Sequence, residues 1–126
     1  MAEKNFLFVY GILKGGFPAN YILRSSNYVG KFYVDGFKMY DLGQFPAVVR
    51  GKGMIYGEVY EVNDGVLAMC DDLEGVPNFY KRETMVPFKP VINFPVNIYV
   101  INRLPVHAKR IKGGVWHGEN KNQHVA

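Results

Sequence analysis

Residue type and spacing permit chemistry at two places in this chain. The first is Glu74, which ends the acidic run Cys70-Asp71-Asp72-Leu73-Glu74-Gly75. A carboxylate in a last helical turn faces the negative end of the macrodipole, and here Asp71 and Asp72 lie within a turn of it. Both effects disfavour the charged form and raise the pKa. A carboxylic acid tuned in that way passes protons near neutral pH. The second place is Tyr10-Gly11-Ile12-Leu13, which opens a stretch that also carries Gly15, Gly16, Pro18 and Asn20. Glycines there let backbone N–H groups approach an anionic or carbonyl oxygen without side-chain interference. No Gly-Lys-Ser/Thr follows, so this is not a P-loop, and the glycine spacing is not that of a dinucleotide fingerprint. Each feature also has a plainer reading: an exposed Glu ahead of a Gly cap, and a turn that is only a turn.

Other polar groups add to these or stand apart. Tyr80 and Tyr99 are candidates to hydrogen-bond a ligand or to bracket Glu74, since a phenol donates while its ring excludes water. Arg82 reads first as the partner of a neighbouring acid. His107, His117 and His124 show no ligand spacing with other His, Cys or acidic residues, so no metal site is expected. Cys70 falls on an apolar helix face and reads as a small core residue.

The elements that must position these groups are mostly strands. Asn5 to Tyr10 is a nearly continuous apolar run that stops at Gly11, the pattern of a buried strand ending in a tight loop. A short helical turn is expected over Tyr21 to Arg24. From Tyr28 to Tyr60, runs such as Lys31–Val34, Phe37–Tyr40, Ala47–Val49 and Met54–Tyr60 alternate with Gly, Asp and Pro breaks, which predicts a β-meander. Within the last run, Ile55, Gly57 and Val59 face one way and Tyr56, Glu58 and Tyr60 the other. One helix is predicted between an N-cap at Asn63 or Asp64 and Gly75 at C′, with Pro77 beyond. Its Val66, Met69, Cys70 and Leu73 define the buried face, with Asp71, Asp72 and Glu74 off its centre. Further strands are expected over Tyr80 to Phe88 and Val96 to Asn102.

Three pieces taken together are similar to the γ-glutamyl cyclotransferase-like (AIG2-like) family. Val9-Tyr10-Gly11-Ile12-Leu13-Lys14-x-Gly16 with Asn20 resembles its signature loop. Cys70-Asp71-Asp72-Leu73-Glu74-Gly75 followed by Tyr80-x-Arg82 resembles its acidic helix end and the next strand. Ile111-Lys112-Gly113-Gly114-Val115-Trp116 resembles its closing Gly-x-Trp element. The order fits as well, with Gly57-Glu58-Val59-Tyr60-Glu61-Val62 just ahead of the helix, and the likeness runs from about Phe8 to Trp116.

The resemblance implies an α+β fold, a small mixed β-barrel flanked by a few short helices, with a cavity where the first loop meets the end of the acidic helix. It implies release of 5-oxoproline from γ-glutamyl amines or peptides, with Glu74 as general acid/base, substrate held by the backbone of Tyr10, Gly11, Ile12 and Leu13, and neither metal nor cofactor. The chain departs from the family twice. Ile12 stands where Ser or Thr is common, and Val115 where Asp often precedes the Trp. If only the backbone at position 12 binds substrate, Ile12 is neutral. If a hydroxyl is needed there, the alternative is a catalytically silent member acting as a small-ligand-binding or interaction module.

Composition bounds the rest. At 126 residues the chain is expected to form one domain over 1–117 with a polar tail at 118–126, because two cores of half that size would not offset the entropy of ordering their backbone. The net charge of +4 is spread along the chain apart from Lys109, Arg110 and Lys112, so no nucleic-acid partner is expected. No apolar run approaches the roughly 20 residues of a membrane span, and the apolar run before Gly11 is too short for a signal sequence. A single cysteine forms no internal disulfide, and a cytoplasmic location is the expectation. The partner expected is a small γ-glutamyl compound.

Overall fold

The computed structural model describes residues 4–85 and 94–118. The elements are β1 (Asn5–Val9), a 3₁₀ turn (Asn20–Leu23), β2 (Asn27–Asp41), β3 (Pro46–Val62), α1 (Asp64–Leu73), β4 (Tyr80–Met85), β5 (Val96–Ile101) and β6 (Lys109–Ile111). They form an α+β fold around one mixed sheet in the order β4-β5-β1-β3-β2-β6. Among the described residues only the β1–β5 pair is parallel, with Leu7 opposite Asn97 and Phe8 opposite Ile98. Among the described residues the flanking helices expected are present as one α-helix and one 3₁₀ turn. Hydrogen bonding ends at β4 on one side and β6 on the other, so among the described residues the strands form a curved sheet with two edges and not a closed ring.

β1 reads as unbroken apolar sequence because both of its faces are covered. Leu7 and Val9 join Leu67, Cys70 and Ile101 on the helix side, while Phe8 and Tyr10 join Val34, Ile55 and Ile98 on the other. A strand between two covered faces loses the polar alternation of a half-exposed one. Tyr10, at the end of this strand, therefore enters the loop that follows from the middle of the sheet.

The predicted meander is one long hairpin. β2 and β3 pair from Asn27/Glu61 to Asp41/Pro46, and the Gly-containing breaks at Tyr28/Gly30 and Asp35/Phe37 are register shifts within the pair. A bulge absorbs one extra residue and bends a strand without ending it. The actual turn lies at residues 42–45, where Asp41 Oδ1 accepts the Gly43 N–H at 2.8 Å. This turn carries Phe45 and Pro46 to the end of the sheet where β1 stops. On β3 the expected alternation holds for buried Ile55, Gly57 and Val59 against exposed Tyr56. Tyr60 is buried instead, because the 3₁₀ turn covers it and Asn20 Nδ2 donates to its hydroxyl at 3.2 Å.

α1 starts where predicted: the Asn63 side chain accepts the Val66 N–H at 2.8 Å. It stops at Gly75, whose φ of +67° suits the left-handed C′ position, and whose N–H donates to the Asp72 carbonyl. The buried face differs from the expectation. Val66, Leu67 and Cys70 are buried, whereas Met69 and Leu73 are 53% and 43% exposed. Apolar spacing alone allowed a stripe centred on either side of Cys70, and packing on β1 and the 3₁₀ turn selects the side with Leu67. Glu74, four residues after Cys70, consequently continues the buried line and does not lie off it. β4 is described to Met85, so the rest of the strand expected to reach Phe88 lies outside the described residues, as does the tail after Gly118. Among the described residues no helix is long and apolar enough to cross a membrane.

Candidate active site

A cavity of about 260 Å³ opens where the loop after β1, the β2–β3 turn and the end of α1 converge. Glu74, Tyr10, Gly11, Ile12, Leu13, Tyr80 and Tyr99 all line it. Every candidate site residue read from the sequence is therefore brought to one hollow.

Burial pushes the Glu74 carboxyl up from 4.5 to about 7. The direction is the one expected, and the cause is burial, with no contribution from the neighbouring acids. Asp71 is paired with a cation: Arg82 Nε donates to its Oδ1 at 2.9 Å and Arg82 Nη2 to its Oδ2 at 3.1 Å. Glu74 in turn acts on its surroundings. Burial is the larger cause, and the Glu74 charge a further one, of raised pKa values at Tyr10, Tyr80, Tyr99 and Cys70, the last reaching about 12.

The three phenols are anchored to the protein. Tyr10 donates to the Tyr99 carbonyl, Tyr80 to the Pro46 carbonyl and Tyr99 to Asp71 Oδ1, each at 2.7 Å. Their protons are committed, so these rings shape the cavity without offering it a hydroxyl donor. Arg82, bound to Asp71 and through Nη1 to Asn97 Oδ1 at 3.0 Å, is a structural partner, as read from the sequence.

The glycine turn is built by its carbonyls. Gly11 O accepts from Lys14 N–H, Ile12 O from Ala19 N–H, and Leu13 O from Asn20 Nδ2. Because a trans peptide sets N–H opposite C=O, tying the Gly11 and Ile12 carbonyls into the loop turns the Ile12 and Leu13 amides the other way. Glycine is required at position 11 by close approach: a Cβ there would lie 2.7 Å from Pro46 Cδ. The Ile12 side chain packs against the core, so this position offers its backbone and no polar side-chain group.

Val115, the other departure, lines a separate cavity of about 520 Å³ with Lys14, Lys31 and Glu58. Glu58 is engaged there, accepting from the Gly15 N–H at 2.8 Å and the Tyr60 hydroxyl at 3.0 Å. Beyond the β1 residues Phe8 and Val9, four residues of the Glu74 cavity escaped the sequence reading: Phe45, Pro46, Leu73 and Phe79. Leu73 and Phe79 adjoin Glu74 and Tyr80 in the chain, which is a usable signal. Phe45 and Pro46 carried none, since only the long hairpin brings them here.

The family model described as gamma-glutamyl cyclotransferase, AIG2-like, matches residues 7–118. The chain belongs to this family. It is 30% identical over 118 residues to the gamma-glutamylcyclotransferase family protein YtfP of Escherichia coli K12, covering 91% of this chain and 98% of that protein. The solution NMR structure of E. coli ytfP matches with a TM-score of 0.70 at 30% identity, over 89% of this chain and 96% of that one. An AIG2-like protein from Mus musculus, 24% identical, shares the fold with a TM-score of 0.72 over 82% and 81% of the two chains. In this γ-glutamyl cyclotransferase family member, the signature loop and the acidic helix end thus meet at the cavity described above.

Proposed function

We propose that this protein releases 5-oxoproline from a γ-glutamyl amine or peptide, with Glu74 as the single proton carrier. The observation that carries the reading is the shared cavity: a half-buried carboxyl pushed by burial to titrate near neutrality stands in the same hollow as the Gly11–Leu13 backbone. The γ-glutamyl group lies with its α-carboxylate or δ-carbonyl oxygen against the amides of residues 10–13 and its chain folded between Tyr10, Tyr80 and Tyr99. Glu74, as the carboxylate, takes one proton from the α-ammonium. The freed amine attacks the δ-carbonyl carbon, forming the lactam C–N bond. As the original amide C–N bond breaks, Glu74 returns that proton to the departing nitrogen and, again a carboxylate, takes the second proton from the new lactam nitrogen, which it releases to the departing amine or to solvent. Backbone donors need no reorganisation, and a folded substrate holds nucleophile and electrophile in near-attack geometry.

Incubating the protein with γ-glutamyl amides and assaying 5-oxoproline tests the reading directly. Glu74→Gln is expected to abolish release and keep binding, and undiminished turnover in that variant ends the proposal. The second reading, a silent ligand-binding module, is favoured by the committed phenol protons, which leave no side-chain donor for substrate among the three tyrosines. Thermal stabilisation by γ-glutamyl amides without any product would select it.

A further inference from the structure

The mouth of the Glu74 cavity is apolar in a way that bears on the leaving half of the substrate. Phe45 and Phe79 meet edge to face with ring centroids 6.0 Å apart, and Phe79 meets Tyr80 in the same manner at 5.0 Å. A row of rings therefore runs from the β2–β3 turn to Tyr80, whose electrostatic surroundings include Glu74. Leu73 and Phe79 both line the cavity while remaining 43% exposed. Apolar surface left wet at a cavity rim becomes favourable contact area once a ligand covers it. Apart from Glu74, no carboxylate, ammonium, guanidinium or imidazole lines the cavity among the described residues. A charged group on the departing half would be desolvated there without a counter-charge, and that is costly.

Resting on the function proposed above, we infer that the leaving amine is an apolar arylalkyl amine, seated against Phe45, Phe79 and Leu73. The volume agrees. About 260 Å³ is somewhat below the usual range for small-molecule sites, which starts at roughly 300 Å³. A γ-glutamyl group and one ring therefore occupy it, with the ring at the rim. The chemistry is unchanged: the amide C–N bond breaks, the nitrogen departs with the proton from Glu74 as a primary amine, and the second proton shed by the lactam nitrogen passes through Glu74 to that amine or to solvent.

Three compounds test the inference: γ-glutamyl-phenethylamide, γ-glutamyl-methylamide and Nε-(γ-glutamyl)lysine. Each is assayed for 5-oxoproline release by the wild type and for equilibrium binding to Glu74→Gln by calorimetry. The phenethylamide is expected to exceed both others in kcat/KM and in affinity by roughly tenfold or more, the scale of burying an aromatic ring. Phe79→Ser is expected to shrink that advantage to below about threefold, and Phe45→Ser reads the same contact if the first variant does not fold. Equal or faster turnover of the lysine adduct overturns the inference and leaves the cyclotransferase reading intact. Preferential binding of the phenethylamide with no 5-oxoproline from any compound upholds the apolar seat and overturns the cyclotransferase reading. Neither binding nor release from any compound overturns both.

Discussion

The Tyr99 hydroxyl donates to Asp71 Oδ1 at 2.7 Å, and Arg82 grips both oxygens of the same carboxylate. One wall of the cavity is thereby tied to the helix that carries Glu74. The arrangement also gives the acid standing three residues before Glu74 a counter-ion, and burial is the cause of the raised Glu74 pKa.

Removing that counter-ion is expected to move the Glu74 titration. In Arg82→Gln, Asp71 keeps its charge without a counter-ion, like charge disfavours ionisation of Glu74, and its pKa rises further. Turnover at pH 7 falls by roughly twofold or more, because a smaller fraction of Glu74 is the carboxylate. Arg82→Lys keeps the positive charge and restores most of the midpoint. A pH–rate profile separates this from plain structural damage, which lowers the plateau and leaves the midpoint where it was.

The wild-type profile has its own expected form. Glu74 accepts a proton, so its carboxylate is the active form, and kcat/KM rises about tenfold per pH unit on the acid side before levelling. With the carboxyl pushed up to about 7, that bend falls near neutrality. A bend at the ordinary glutamate range, with a flat profile through pH 7, would show that the buried acid is not the group being titrated.

How much of this was legible in the sequence depended on range. The helix caps act on residues within one turn: the sequence narrows the N-cap to Asn63 or Asp64, of which the structure selects Asn63, and places Gly75 at C′. β1 was legible because five consecutive apolar or aromatic residues halted by a glycine suit a strand covered on both faces and little else. The long hairpin was not, since a glycine that bulges a strand and a glycine that ends one look alike in one dimension. Nor was the Tyr99–Asp71–Arg82 cluster, which spans two strands and a helix; without it, Asp71 reads as a repelling neighbour of Glu74. That Glu74 and Gly11 share a cavity followed from the family resemblance, because no local pattern links two residues on opposite sides of the hairpin.

Gly11 tests the loop independently of Glu74. In Gly11→Ala the added methyl would stand 2.7 Å from Pro46 Cδ and 2.8 Å from Cγ, with no flexible side chain to yield. Relief requires shifting either the loop backbone or Pro46, whose carbonyl anchors the Tyr80 hydroxyl. Displacement of that size at reacting groups costs on the order of a hundredfold in rate. The expected result is a comparable drop in kcat/KM with an unchanged far-ultraviolet circular dichroism spectrum. Full activity in the alanine variant would refute the requirement for a close-packed turn.

The raised Glu74 pKa also carries a stability signature. Between the unfolded value of 4.5 and the folded value of about 7, the native protein binds the Glu74 proton and the unfolded chain has released it. Stability from this group is therefore fully present below pH 4.5, declines as pH rises towards 7, and is lost above it. The integrated change is on the order of 3 kcal/mol. Glu74→Gln removes the titration and keeps the shape, so the variant gains on the wild type across that window. Urea unfolding of both proteins at several pH values from 4.5 to 8 measures the difference. Parallel stability curves would mean that the carboxyl is solvated in the folded state, and the proton-transfer role would lose its physical basis.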